Sequence, residues 1–260
     1  MRRPGGRGAR AVVVVAILVA GLAAARSQSE APAVHANEGD SREALAEETV
    51  ILLHGLGRSD RSMRPLESHL DRAGYRVQNV HYPSTEGDPE ALVRFLHERL
   101  VDCCQAASRL HFVTHSLGGI LTRAYLNRHP LPNLGRVVML APPNHGSAYV
   151  DWLGDYKLFE WVLGPTAKQL GTGDDSLPNR LPDADFELGV VAGIGGINPL
   201  GDRVLDGRND GTVSVESTQL AGMKDFVEVD ASHTFIMRNP AVMEHVVHFL
   251  RQGQFANEEP

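Results

Sequence analysis

From residue 48 onward, short apolar runs alternate with amphipathic stretches, and that alternation limits the fold more than anything else in the chain. The apolar runs are Thr49–Leu53, Tyr75–Tyr82, Arg109–Thr114, Arg136–Leu140, Phe186–Ile194 and Asp225–Val229. Between them, Ser62 to Ala73 sets Met63, Leu66 and Leu70 on one helical face. Asp88-Pro89-Glu90 opens a second helix with a capping residue and an N1 proline, and Leu92, Phe95, Leu96 and Leu100 form its face. Further helical patterns cover Gly119–Arg128 and Pro240–Leu250. Nearly continuous apolar strands joined by helices predict an α/β fold, a mostly parallel sheet of about six strands covered on both faces. Such sheets bind ligands at the carboxyl ends of their strands, so chemistry is sought in the loops that follow each strand.

The ends of the chain carry a different signal. Arg2, Arg3, Arg7 and Arg10 precede the apolar run Ala11–Ala25, whose 15 residues are short of the roughly 20 that a membrane span needs. Residues 1–36 therefore read as an export signal, with Val34-His35-Ala36 or Ala25-Arg26-Ser27 as the cleavage site. An uncleaved N-terminal anchor is the alternative, and it would give the protein a membrane association. Residues 37–47 read as a polar linker, and 48–260 as one domain. Without residues 1–36 the chain keeps 20 basic and 31 acidic residues, a formal charge of −11. An acidic exported chain lacks the electrostatic footprint of a nucleic-acid binder. The only cysteines, Cys103 and Cys104, are neighbours. Adjacent cysteines seldom bridge without strain, so neither a disulfide framework nor a metal site is expected from them.

Four post-strand loops carry reactive residue types. His54-Gly55-Leu56-Gly57 follows the first strand, and its glycines let the backbone turn and aim the Leu56 N–H inward. Thr114-His115-Ser116-Leu117-Gly118 stands between the third strand and a helix, the layout of a nucleophile elbow. Asn209-Asp210-Gly211 ends the loop after the fifth strand, and Ser232-His233-Thr234 follows the sixth.

Together these segments resemble the α/β-hydrolase superfamily, and within it the bacterial lipases and esterases. ILLHGLGRS, THSLGG, MLAPPNHGS, NDGTVSV and a histidine before the last helix occur in that family's order, over residues 48–252. Two departures stand out. Thr114 replaces the usual first glycine of the elbow, and nothing before residue 48 supplies the family's first two strands, which implies a reduced sheet. The resemblance implies catalysis by Ser116, Asp210 and His233, with no cofactor and no metal. His233 would take the serine proton, and Asp210 would hold the histidine tautomer. Leu56 and Leu117 would offer backbone N–H groups to the oxyanion, each typically worth about 3 kcal/mol of barrier.

Other residues are weighed beside these. Asp206, also followed by glycine, is the fallback acid. Asp202 and Asp206 resemble a calcium site in some family members, but solvated loop carboxylates are the simpler reading. His54, His115 and His145 are pocket candidates, although strand alternation turns His115 away from the side that Ser116 faces. His245 and His248 read as packing or surface residues.

Residues 146–185 are too long for a plain strand-to-strand connection and contain Trp152 and Trp161. Tyr149, Trp152 and Leu153 fall at helical spacing, as do Leu158, Trp161 and Val162. Either two helices simply pack on the body, or they form a lid whose apolar underside holds an acyl chain. The expectation is an exported serine hydrolase of small-molecule or lipid carboxylic esters. An acyltransferase, thioesterase or phospholipase on the same three residues is the alternative, and a non-catalytic protein on this fold is the rival of another class.

Overall fold

A computed structural model describes residues 48–104, 107–154, 163–196 and 198–256, all within one compact unit, Asn37–Pro260. The expected signal, the polar linker and Trp161 with its neighbours Leu158 and Val162 lie outside the described residues. Six strands form one sheet: β1 (Glu48–Leu53), β2 (Arg76–Val80), β3 (Arg109–His115), β4 (Leu134–Leu140), β5 (Leu188–Gly193) and β6 (Asp225–Val229). Their spatial order is β2-β1-β3-β4-β5-β6, and every pairing is parallel.

Side chains alternate across a strand, so each central strand supplies two cores. Ile51, Leu53, Phe112, Met139 and Val190 point to one face. There they meet α2 (Pro89–Cys104) through Leu92, Leu96 and Leu100, and α3 (Leu117–Arg128) through Ile120, Leu121 and Tyr125. Val50, Leu52, Val113, Val138, Leu140 and Val191 point to the other face. That side is covered by Leu66 and Leu70 of α1 (Arg64–Arg72) and by Val242, Val246 and Phe249 of α9 (Pro240–Gln252). Burial of a single such side chain contributes about 1.5–3 kcal/mol. The edge strands β2 and β6 are mostly half-buried, whereas the body of β1 and all of β5 are buried.

Local signals fix the helix ends. Asp88 Oδ1 accepts from the Ala91 N–H at 2.8 Å. Asn239 Oδ1 accepts from the Ala241 N–H at 2.9 Å, and Gly253, with φ 73°, closes α9. Two differences from expectation concern helix starts. A short 3₁₀ turn, Asp60–Ser62, precedes α1, and α3 begins at Leu117 rather than Gly119. The glycine pair of the elbow lies inside the first turn of α3, where space rather than turning is the constraint.

Among the described residues, five short helices accompany these: α4 (Ala148–Gly154), α5 (Pro165–Lys168), α6 (Leu177–Arg180), α7 (Gly201–Val204) and α8 (Val215–Thr218). Of these only α4 is legible as periodicity, since four residues hold too few apolar positions to show a repeat. Among the described residues no helix is long and apolar enough to cross a membrane. The cysteine expectation is corrected: Cys103 and Cys104 are joined by a disulfide at the end of α2. Their Cα atoms are 3.7 Å apart, below the spacing of about 4.4–6.8 Å by which a sequence-distant pair is judged. A vicinal bridge closes across a single peptide and escapes that criterion.

Candidate active site

Ser116 stands at the carboxyl end of β3, near the middle of the sheet, with φ 52° and ψ −120°. A positive φ on a serine costs of order 1–3 kcal/mol and persists only where neighbours enforce it. Here the Ser116 N–H donates to the Leu140 carbonyl at 3.0 Å, and the Ser116 carbonyl accepts from the Gly119 N–H at 2.9 Å. One strand over, Ala141 has φ 48°, so the adjacent β3 and β4 both end in this conformation.

Space dictates the small residues around the serine. A methyl group on Gly118 would lie 2.7 Å from the Leu53 carbonyl oxygen, and one on Gly55 would lie 3.2 Å from Ser116 Cβ. Thr114, at the position of the usual elbow glycine, is fully buried, and its hydroxyl has no hydrogen-bond partner among the described residues.

The acid sits in a tight turn. Gly211 has φ 91° and donates its N–H to Asn209 Oδ1 at 2.8 Å. The turn aims N–H groups at the carboxylate: Asp210 Oδ1 accepts from Thr212 at 3.0 Å and from Val213 at 2.8 Å. Asp210 Oδ2 is left to face His233 Nδ1 at 2.7 Å. A carboxylate only accepts, so Nδ1 carries the proton and Nε2 presents a lone pair. That lone pair faces Ser116 Oγ at 3.0 Å. Asp210 is buried, while Asp206 is exposed and does not reach His233. Among the described residues, no group of three or more His, Cys, Asp or Glu is placed to hold a metal ion. The side chain of Asp202 is outside them.

Leu56 lies in the turn between Gly55 and Arg58, which the Arg58 N–H closes onto the Gly55 carbonyl at 3.3 Å. Leu117 opens α3, where first-turn N–H groups have no intrahelical acceptor. Neither the Leu56 nor the Leu117 N–H is engaged by another described residue. Two such donors beside a hydroxyl paired to an imidazole suit acyl transfer.

The three histidines of the pocket expectation part company. His54 is fully buried and stacks on Tyr82 with ring centres 4.2 Å apart. Its Nδ1 donates to the Gly55 carbonyl at 2.9 Å, its Nε2 accepts from the Tyr82 N–H at 3.4 Å, and burial holds it below the usual histidine range. Its contacts tie the loop after β1 to Tyr82. His115 is likewise buried, with Nε2 2.9 Å from the His233 carbonyl oxygen. His145 is exposed beside Asn179 and lines a cleft of about 580 Å³ with Ser214, Glu216 and Gln219, a cleft that includes none of Ser116, Asp210 and His233. His245 is buried in α9 against Phe255, and His248 meets the Gln254 carbonyl.

Trp152 is half-buried in α4, its ring 5.8 Å from that of Tyr149. Sequence reasoning missed Arg123, whose only outward sign was a charge within the buried helix after the elbow. Its guanidinium is buried and bonded to backbone carbonyls, with Asp183 near enough to act on it electrostatically. Nη1 donates to the Asn144 carbonyl at 3.0 Å, and Nη2 donates to the Leu181 and Pro182 carbonyls, each at 3.1 Å. Burial lowers its pKa to about 10.

No protein-family model matches the sequence, and no curated protein matches it. Solved structures do. The lipase BlEst2 of Bacillus licheniformis in its propeptide form superposes with a TM-score of 0.63 at 21% identity, over 82% of this chain and 52% of that one. Phospholipase PlaB from Legionella pneumophila gives 0.55 at 20% identity, over 78% and 57%. The metagenomic carboxyl esterase MGS0156 gives 0.55 at 20%, over 72% and 65%. The chain thus spans between about half and two thirds of the length of these proteins. At such identities the likeness shows the fold alone, and the chain has the α/β-hydrolase fold.

Proposed function

We propose that the protein is a serine hydrolase that cleaves carboxylic esters through an acyl-enzyme. One observation carries this reading: the unbroken line from Ser116 Oγ through His233 to Asp210, with steps of 3.0 and 2.7 Å. His233 Nε2 takes the hydroxyl proton as Oγ attacks the ester carbonyl. Asp210 holds the imidazole in the required tautomer and stabilises the imidazolium that forms. The negative oxygen of the tetrahedral intermediate is received by the Leu56 and Leu117 N–H groups, helped by the dipole of α3. His233 then protonates the departing alcohol, and water repeats the cycle on the acyl-serine.

The chemistry uses only side chains and backbone, so it needs no cofactor. The neighbours described as a lipase, a phospholipase and a carboxyl esterase support ester cleavage in general terms. We assign residues 1–36 to export. The stretch 146–185, with half-buried Tyr149, Trp152 and Leu153, serves as a lid with an acyl-binding underside. The test is a series of p-nitrophenyl esters, from acetate to long chains, with the purified protein. Release of nitrophenol that rises with chain length supports both enzyme and trough. Turnover that peaks at acetate removes the trough, and no turnover on any ester removes the esterase.

A further inference from the structure

β3 and β6 are separated in the sheet by two strands, yet Ser116 and His233 must keep a hydrogen-bonding distance. The paired strands end at Gly193 and Val229, four residues before His233, and the last backbone bond between them runs from the Gly195 N–H to the Ala231 carbonyl at 3.1 Å. Beyond that point three hydrogen bonds hold the histidine, besides the one to Ser116 itself. Two come from Asp210, whose carbonyl accepts the His233 N–H at 3.0 Å and whose carboxylate accepts the ring. The third comes from the residue preceding the nucleophile: His115 Nε2 lies 2.9 Å from the His233 carbonyl oxygen.

A carbonyl only accepts, so His115 Nε2 must carry a proton. The other nitrogen, Nδ1, is buried with no hydrogen-bond partner among the described residues. A methyl group on Gly55 would come within 2.7 Å of it, so backbone closes that side. The ring centre is 4.9 Å from that of His233. Burial first, and then the neighbouring His233, Arg58 and His54, keep the His115 imidazole far below its ordinary pKa. The side chain therefore donates without becoming a second cation beside the imidazolium that forms during turnover.

We infer that His115 is a positioning residue: its Nε2–H, donated to the His233 carbonyl, ties the histidine loop to the nucleophile's own strand and holds Nε2 of His233 at Ser116 Oγ. This rests on the esterase reading above. The tie acts on alignment rather than on substrate binding, so its loss is felt in kcat.

The test compares His115→Gln, whose amide nitrogen can donate from a similar position, with His115→Met, which has similar length and no donor. For the Met variant a 10- to 100-fold fall in kcat is expected with KM within about twofold, and a matching fall in the rate of fluorophosphonate labelling. The Gln variant is expected to stay within a few-fold of wild type. In wild type the acid limb of kcat/KM should fall with unit slope, one proton only, because His115 stays neutral. Equal losses in the two variants, a loss confined to KM, or a slope of two would each overturn the assignment. If the Met variant does not fold, the Gln variant still decides, since a loss of more than about tenfold there overturns it. Full activity in Ser116→Ala or Asp210→Asn would instead overturn the esterase reading beneath.

Discussion

The segment 110–126 and the insertion after β4 lie side by side in the sequence but are built in opposite ways. In the first, β3 and nearly all of α3 are buried, and Gly118 sits where a methyl group would meet the Leu53 carbonyl. In the second, α4 buries none of its residues fully, and α5 and α6 are single turns. The tight region can hold a serine in a strained conformation because everything around it is packed. The loose one offers half-buried aromatic surface that a ligand can still cover. Under the proposed function, chemistry and selectivity fall to parts that are packed differently.

The sharpest break of that contrast would come at the serine. Ser116→Ala is expected to reduce ester turnover by on the order of 10⁶-fold while leaving the thermal transition in place, because the hydroxyl contributes no core packing. Turnover near the wild-type rate in a coupled ester assay would take the serine out of the chemistry. Next in size is the acid: Asp210→Asn should lower kcat by about 10⁴-fold, with Asp206→Asn close to wild type. The opposite ranking would move the acid to Asp206.

Stability separates the two regions directly. Gly118→Ala should cost about 1–3 kcal/mol through overpacking against Leu53. Gly154→Ala, with nothing within 4 Å of the added methyl, should be neutral or stabilise α4 by up to about 1 kcal/mol. Urea midpoints measure both, and equal shifts would erase the contrast in packing. The smallest effect concerns the aromatics. Each buried methylene of an acyl chain contributes about 0.8 kcal/mol, or about fourfold in kcat/KM. Trp152→Ala, alone or with Trp161→Ala, should flatten that rise, and an unchanged slope would show that the chain binds elsewhere.

The sequence was most readable where one physical demand acts over several residues. The nearly continuous apolar runs of β1 and β3, and the helical spacing of Leu66 and Leu70, made the covered parallel sheet legible. So did the residues after the strands, because a parallel sheet brings its loops to one edge: Ser116, Asp210 and His233 meet there although the last two lie 94 and 117 positions beyond the first. What stayed hidden depends on partners far away in sequence. Alternation gave the direction of His115, but the carbonyl that it meets belongs to a loop 118 residues on. The buried guanidinium of Arg123, the left-handed backbone of Ala141 and the Cys103–Cys104 bridge have the same character. Each is decided by a three-dimensional neighbourhood with no periodic trace.

Arg123 has one more consequence, a mechanical one. Its fork grips the chain at Asn144 and again at Leu181 and Pro182, so a single cation clasps both feet of the insertion to the helix that starts at the nucleophile. The span between the feet is a closed loop anchored to α3. Between the feet the chain is tied again, where Thr166 Oγ1 donates to the Gly87 carbonyl at 3.1 Å and Leu170 joins the core. The entropy of bringing its ends together is settled when the protein folds and does not recur with each turnover. The footings at Asn144, Leu181 and Pro182 are thereby held in register with the helix that starts at the serine.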